Sequence, residues 1–476
     1  MPAAPDLLLP AEPRQRAIAR DLHALVADRP LISPHGHVDP AVLADDAPFP
    51  DPARLLVVPD HYLTRMLLSQ GVPPAELGVP SRDGSPVQTD GRRIWRRFAE
   101  HWHLFRGTPS RLWLERTFDT VFGVTTRLSP ETADQVYDEI AARLAEPEFR
   151  PRALFDRFRI EVLATTESPL DDLGRHAKLA ADGWGGPGGR VITTFRPDNV
   201  VDMEFDDWPA NIARLGELTG ADTGTYHGFL DALRQRRAAF IAAGATSSDH
   251  GHPTARTLAL TAREAAHLYD RGLRGAVDAA DAETFRAHML MEFARMSLDD
   301  GLVLQLHPGA VRNHNRWLHA RHGRDTGGDV PEATEYVHAL APLLSAYGND
   351  PRLRVVVYTL DESTFTRELG PLAGGYPALY LGAPWWFLDS PEVLRRFRES
   401  VTESAGFYNT AGFVDDTRAF CSIPVRHEVA RRVDAGFLAR LVAEERLPLD
   451  EAAETIVDLA YHLPRRVFRL DGGTGR

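Results

Sequence analysis

Cysteine is almost absent from this 476-residue chain: there is one, Cys421. No intrachain disulfide can form and no cysteine-based zinc site can be built, a usage that suits a reducing compartment. Long apolar runs are missing too, which excludes a conventional helical membrane span. The stretch Met1–Pro13 has a short apolar patch at Leu7–Leu9. It lacks a basic lead-in and a long apolar core, so it is not expected to be a secretory signal, and a cytoplasmic protein is expected. Excess positive charge is also lacking. A formal net charge of −13 and a pI near 5.8 give no reason to expect nucleic acid or an anionic membrane as partner. An anionic substrate would have to be caught by local arginine or histidine against that field. Lysine is scarce beside arginine, and there is no low-complexity tract, short-period repeat or heptad pattern.

What is present is ordinary globular material, 43% hydrophobic and 25% charged. Short apolar runs recur, each ending in polar or ionisable residues: Leu31–His37, Glu161–Glu167, Arg190–Asp198, Gly244–His250, Leu302–His307, Arg354–Asp361, Ala378–Trp386 and Gly412–Arg418. Helical patterns such as Asp171–Ala181, Thr261–Arg271, Ala282–Met296 and Pro391–Ser404 lie between them. Strands alternating with helices predict a parallel sheet, and eight such units predict an α/β fold of the distorted (β/α)8 TIM-barrel class. The weakest strand is Gly244–His250, which has little β character. The first repeat is interrupted by a long stretch that reads as helical at Asp60–Gln70, Arg92–Phe105 and Pro130–Ala145, and a helical insertion after strand one is expected. The expected organisation is an N-terminal helical segment (1–30), the first strand and loop (31–59), the insertion (60–155) and the rest of the barrel (156–476). Val425–Phe468 reads as two or three closing helices.

Active sites of such barrels lie at the C-terminal ends of the strands, so chemistry is sought there. His35-Gly36-His37 ends the first run. Residues i and i+2 on a strand face one side, so both imidazoles can share a metal, with Gly36 leaving room for close approach; the bland reading is two unrelated loop histidines. A carboxylate is the usual complement, and one of Asp415 and Asp416, at the end of the eighth run, can supply it unless the pair is a cap. Arg418, two residues past Asp416, is expected on the same side, where it would hold a substrate oxygen. His61 and Tyr62 form an acid/base pair if they face a substrate, although Asp60 can simply cap the helix that follows. Arg196 suits bidentate binding of a carboxylate, or pairs with Asp198. Gln305 and His307 share a face, and His307 is a metal ligand, a substrate contact or a satisfied core residue. Ser248–Gly251 resembles a turn. Trp385 and Trp386 line the pocket or fill the barrel rim.

Taken together these residues resemble the uronate (glucuronate) isomerases of the amidohydrolase superfamily, from about Ala17 to Leu470. The likeness rests on HGHVDP at His35–Pro40, DHY at Asp60–Tyr62, FRPD at Phe195–Asp198, SDHG at Ser248–Gly251 and QLHPGAVRNHN at Gln305–Asn315. GAPWWF at Gly382–Phe387, DDTRAF at Asp415–Phe420 and RHE at Arg426–Glu428 complete it. The resemblance implies interconversion of D-glucuronate with D-fructuronate, and of D-galacturonate with D-tagaturonate, by proton transfer between C2 and C1 through an enediol. It implies metal ligation by His35, His37 and Asp416, catalytic roles for His61, Tyr62, Asp416 and Arg418, and substrate contacts from Arg196, His307 and Trp385. The expected cofactor is a divalent metal ion, zinc with manganese as the alternative. The expected partner is a hexuronate, and a homo-oligomer is expected. The chain departs from many members at Gly36 and Val38-Asp39, and its loop Gly183–Gly189 looks expanded. Two other readings compete. One is a metal-dependent hydrolase, against which stands the lack of a bridging lysine at any strand end; the other is a non-catalytic sugar-acid-binding barrel.

Overall fold

The computed structural model describes residues 5–184 and 189–471. The middle of the Gly183–Gly189 loop therefore lies outside the described residues. Seven parallel strands form one curled sheet in sequential order: β1 (Leu31–Ser33), β2 (Ile160–Glu167), β3 (Arg190–Phe195), β4 (Ser247–His250), β5 (Val303–Leu306), β8 (Val355–Val357) and β9 (Leu379–Leu381). The short strands β6 (Ala310–Val311) and β7 (Val330–Pro331) pair separately and antiparallel.

Alternation along the strands sorts the core into two faces. Ile32, Val162, Ala164, Ile192, Val303 and Val356 face the inside of the curl. Leu304, Val355, Val357 and Phe195 face outward against the surrounding helices, such as Ala279–Asp300 and Tyr226–Ala242. The inner floor is plugged by Leu459, Leu463, Val467 and Phe468 of the closing helices. Two residues further along each strand the inner positions turn polar, to Gln305, Asp249 and Thr194, all fully buried.

Two expected strands need correction. The first ends at Ser33, because Pro34 has no N–H to continue the ladder. The eighth, Gly412–Arg418, is not a strand. Gly412 (φ 75°) and Asp416 (φ 36°) adopt left-handed backbone, which a ladder does not accommodate. That chain is instead bonded at its two ends: the Ala411 N–H donates to the Leu381 carbonyl at 2.8 Å, and His37 N–H donates to the Thr417 carbonyl at 3.0 Å. The fourth run, Gly244–His250, the weakest strand by composition, does form β4 at Ser247–His250, paired with β5 over Ser247↔Val303 to His250↔Leu306, so Ser248–His250 is strand although its sequence resembles a turn.

Between β1 and β2 the chain is helical: Ala41–Asp45, Pro52–Leu56, His61–Leu68, Gly91–Glu100, Pro109–Thr120, Ala133–Leu144 and Pro151–Arg157. Asp60 caps the third of these, accepting from the N–H groups of Tyr62 (2.8 Å) and Leu63 (3.2 Å). This sets the helix start so that His61 and Tyr62 sit in its first turn. Trp95 and Phe98 anchor the Gly91–Glu100 helix, and the Trp95 indole N–H donates to the Ala133 carbonyl at 2.9 Å. Among the described residues no helix is long and apolar enough to cross a membrane.

The helix Ile423–Ala443 lies against β1 and the N-terminal helix Pro13–Ala24. From it the buried guanidinium of Arg431 reaches the carbonyls of Val26 (2.7 Å), Arg29 (3.1 Å) and Pro30 (3.0 Å), fixing the chain that enters β1. Replacing Arg431 by Met strands those carbonyls and is expected to cost about 2–3 kcal/mol. A lower urea midpoint at unchanged slope would show it; an unmoved midpoint would remove this anchoring role.

Candidate active site

The polar inner positions converge where the strands end. His35, fully buried just past β1, points Nε2 at the Asp416 carboxylate (3.6 Å) and at Asp249 (4.0 Å). His37 Nε2 lies 3.2 Å from Asp416, the two rings of the HxH pair meeting edge to face with centroids 5.2 Å apart. Gly36 suits the place between them, since a Cβ there would sit a tight 3.3 Å from the Thr417 carbonyl oxygen. His307, past β5, reaches Asp249 through Nδ1 (2.7 Å) and faces Asp416 through Nε2 (4.0 Å). It is stacked between His35 (4.8 Å) and Tyr358 (4.0 Å).

Arg196, past β3, has Nε on Asp198 (2.9 Å) and Nη1 on Asp249 (3.0 Å), with about a quarter of its side chain, 26%, still exposed. Both carboxylates at the centre stay ionised. Burial alone would raise Asp249, but Arg196, His307 and His35 hold it well below the usual range. Burial opposes ionisation of Asp416 as well, and the imidazoles of His35, His37 and His307 outweigh it. His35 is driven down to about 3 by burial, with Asp249 and Asp416 pulling the other way, so its ring is neutral.

Four buried ligand-type atoms here make no hydrogen bond: His35 Nε2, His307 Nε2, Asp249 Oδ2, which has only its ion-pair contact with Arg196 Nη1, and Asp415 Oδ1. The first three belong to overlapping groups able to hold a cation, His35–His37–Asp416 and His35–Asp249–His307, each with its atoms within 4.8 Å of one another. Imidazole nitrogens beside ionised carboxylates suit a divalent ion of the zinc or manganese type. Of the two aspartates, Asp416 faces the imidazoles, whereas Asp415 bonds His427 at 2.9 Å.

A wall of rings links this cluster to the Asp60-capped helix. Trp385 meets His307 at 4.7 Å, Trp386 meets Trp385 at 5.5 Å and His61 at 5.9 Å, and His61 stacks on Tyr62 at 4.5 Å. Burial lowers His61 to about 3, helped by Arg418, and leaves both its nitrogens unpartnered. Burial raises the Tyr62 phenol, with Arg426 opposing, so Tyr62 is present as O–H. Arg426 is buried against Trp113 (3.7 Å) and paired with Asp389, a carboxyl that burial raises to about 6. Arg418 departs from expectation. It is exposed, and its charge falls on Asp325, Asp60 and His61, because the left-handed Asp416 breaks the alternation that would have aligned the two side chains.

The sequence reading missed Asp249, Asp389 and the Gln305–Tyr358 bond (3.1 Å). Asp249 was within reach: aligning Ser-Ser-Asp-His with Val-Leu-Gln-Leu as neighbouring strands puts Asp249 beside Gln305, the register observed. Asp389 carries no such signal, since its partner Arg426 is distant in sequence.

The profile of the glucuronate isomerase family matches residues 14–468. The chain is 60% identical over 467 residues to a uronate isomerase of Phenylobacterium zucineum, covering 98% of this chain and 96% of that one. Among solved structures it is similar to a glucuronate isomerase from Caulobacter crescentus, with a TM-score of 0.96, 57% identity, and coverage of 99% and 98% of the two chains. It is also similar to a uronate isomerase from Thermotoga maritima, with a TM-score of 0.91, 27% identity, and coverage of 98% and 100%.

The buried imidazoles carry a consequence for acid stability. His61, His176, His250, His252 and His288 are all lowered by burial. In the unfolded chain each takes up a proton near its ordinary value of about 6.5, and the folded chain refuses it, so stability is lost as pH falls below that value. Glu167, raised by burial to about 7, and Asp389 act in the opposite sense but are fewer. The melting temperature should therefore drop between pH 7 and pH 5; a flat or rising profile would contradict this balance.

Proposed function

The chain belongs to the glucuronate isomerase family, and from that premise we propose that it interconverts D-glucuronate with D-fructuronate, and D-galacturonate with D-tagaturonate. The observation that carries the substrate class is Arg196, a guanidinium braced by two carboxylates yet part-exposed beside a histidine–carboxylate cluster. We assign it to the substrate carboxylate, because a planar fork binds a carboxylate in two hydrogen bonds. The same premise makes the sheet, with the chain from Asn409 to Thr417, a distorted (β/α)8 barrel, and the helices after β1 an insertion over its mouth.

The reaction moves one proton from C2 to C1 of the open-chain sugar. The C2–H proton leaves to a base, O1 gains a proton and a cis-enediol forms; loss of the O2 proton and protonation of C1 then give the ketose, with no external oxidant. Asp416, ionised and facing the histidines, accepts the hydroxyl proton that opens the sugar ring. Tyr62 enters as a phenol and exchanges the proton at the carbon centre, with His61 neutral beside it under the Arg418 charge and the Arg426 charge favouring its phenolate form. His307 and Trp385 bound the sugar. His35, His37 and Asp416 would hold the divalent ion, zinc in our assignment and manganese as the alternative. When bound it supplies positive charge near the vicinal oxygens. Asp249 braces Arg196 and His307 together. A cytoplasmic, symmetric homo-oligomer completes the reading.

Incubating the protein with D-glucuronate in D2O and following proton NMR tests it directly. Fructuronate signals with deuterium at C1 are expected, and an unchanged spectrum with both uronates would sink the assignment. Arg196→Met should lower kcat/KM by about 100-fold or more, chiefly through KM; an unchanged KM would remove Arg196 from the carboxylate. Asp416→Asn should abolish turnover, and near-normal activity in that variant is the outcome that refutes the mechanism.

A further inference from the structure

Strand β4 presents successive side chains to opposite faces. Asp249 points into the curl, whereas His250 points outward onto Phe293 of the helix Ala279–Asp300, ring centroids 4.6 Å apart. Behind the active site His250 meets His252 (ring centroids 5.8 Å apart) and Asp198, and the three offer ligand atoms within 4.8 Å of one another. From these residues we infer a second divalent-cation site, on the outer face of β4, held by Asp198, His250 and His252.

The donor atoms are prepared for it. His250 Nε2 is engaged with the Ser248 hydroxyl at 3.1 Å, which leaves Nδ1 buried with no partner. That is the arrangement of a metal-binding histidine, one ring nitrogen fixed by a hydrogen bond and the other presenting its lone pair. His252 is 4% exposed and neither of its nitrogens has a partner, although Nε2 lies 3.9 Å from Asp198 Oδ1. An imidazole buried without a single hydrogen bond costs free energy that a ligand would recover. Asp198 Oδ2 accepts from Arg196 Nε at 2.9 Å and the Gly251 N–H is shared between both oxygens (3.2 Å to Oδ1, 3.1 Å to Oδ2), so Oδ1, the oxygen turned toward His252, keeps a lone pair for an ion. The neighbouring cation Arg286 is offset by Asp202 (2.5 Å), Glu204 (2.7 Å) and Glu283 (3.0 Å), so it does not repel an ion from the cluster.

Two imidazoles and one carboxylate oxygen suit zinc-type ions, with water in the remaining position. The ion would share Asp198 with Arg196. It would therefore act as a positioning element, fixing the carboxylate that orients the guanidinium without touching the sugar. Space around Arg196 is tight enough for this to matter: a Cβ on Gly251 would lie 2.4 Å from its Nη2.

The test is Co2+ binding to the metal-free full-length protein by equilibrium dialysis, with circular dichroism to confirm folding. Wild type should bind one equivalent more than His252→Asn, and His35→Ala should keep the equivalent that His252→Asn loses. Equal uptake by wild type and folded His252→Asn overturns the second site, and so does zero uptake by His35→Ala. If the front cluster were the one without an ion, wild type and His35→Ala would bind the same single equivalent and His252→Asn none. The two sites thus fail separately, and His35→Ala decides the matter if His252→Asn does not fold.

Discussion

Two carboxylates, Asp249 and Asp416, are held out of water and ionised at the open end of a parallel sheet, and nearly every polar residue nearby answers to them. An uncompensated buried charge costs several kcal/mol, so each is surrounded: Asp249 by Arg196 and His307, Asp416 by His35, His37 and His307. The compensation is short of complete, because His35 is itself neutral and several ligand-type atoms remain unpartnered. An apolar floor of Ile32, Val162, Ile192, Val303 and Val356 holds this imbalance in place from below.

Backbone strain is present at the same end of the molecule. Asp416 (φ 36°) and Trp386 (φ 50°) are non-glycine residues in left-handed conformation, and both follow the last strands of the sheet. Such positions cost of order 1–3 kcal/mol and persist where the surroundings over-determine them. At Asp416 the strain turns the carboxylate onto the HxH pair while Asp415 is pulled to His427. At Trp386 it brings the indole against His61 and so joins the capped helix to the strand ends.

Strand β4 ties the front of the sheet to its back. Asp249 and His250 are neighbours in sequence but belong to different polar clusters, linked through the Arg196 guanidinium, which contacts Asp249 on one side and Asp198 on the other. Changes on the outer face of β4 can therefore be felt at the pocket without any contact with a substrate.

Much of this was legible in the amino-acid order. Apolar runs alternating with helical patterns marked the parallel sheet, the HxH and Asp-Asp pairs marked the cluster, and Asp60 was recognisable as a cap, because these signals are local and carried by residues a few positions apart. Three features were not. The eighth run reads as a strand by composition, yet its left-handed residues make it a bridge; Asp249 reads as part of a turn, yet the pairing of β4 with β5 sets it beside Gln305; and Asp389 becomes visible only when Arg426 folds against it. The sequence alone determined the kinds of residue at the strand ends and their spacing along each strand, since side-chain alternation is a property of the chain itself. Which carboxylate meets which imidazole was decided by tertiary structure, because burial and the sign of neighbouring charge arise only when distant segments are packed together.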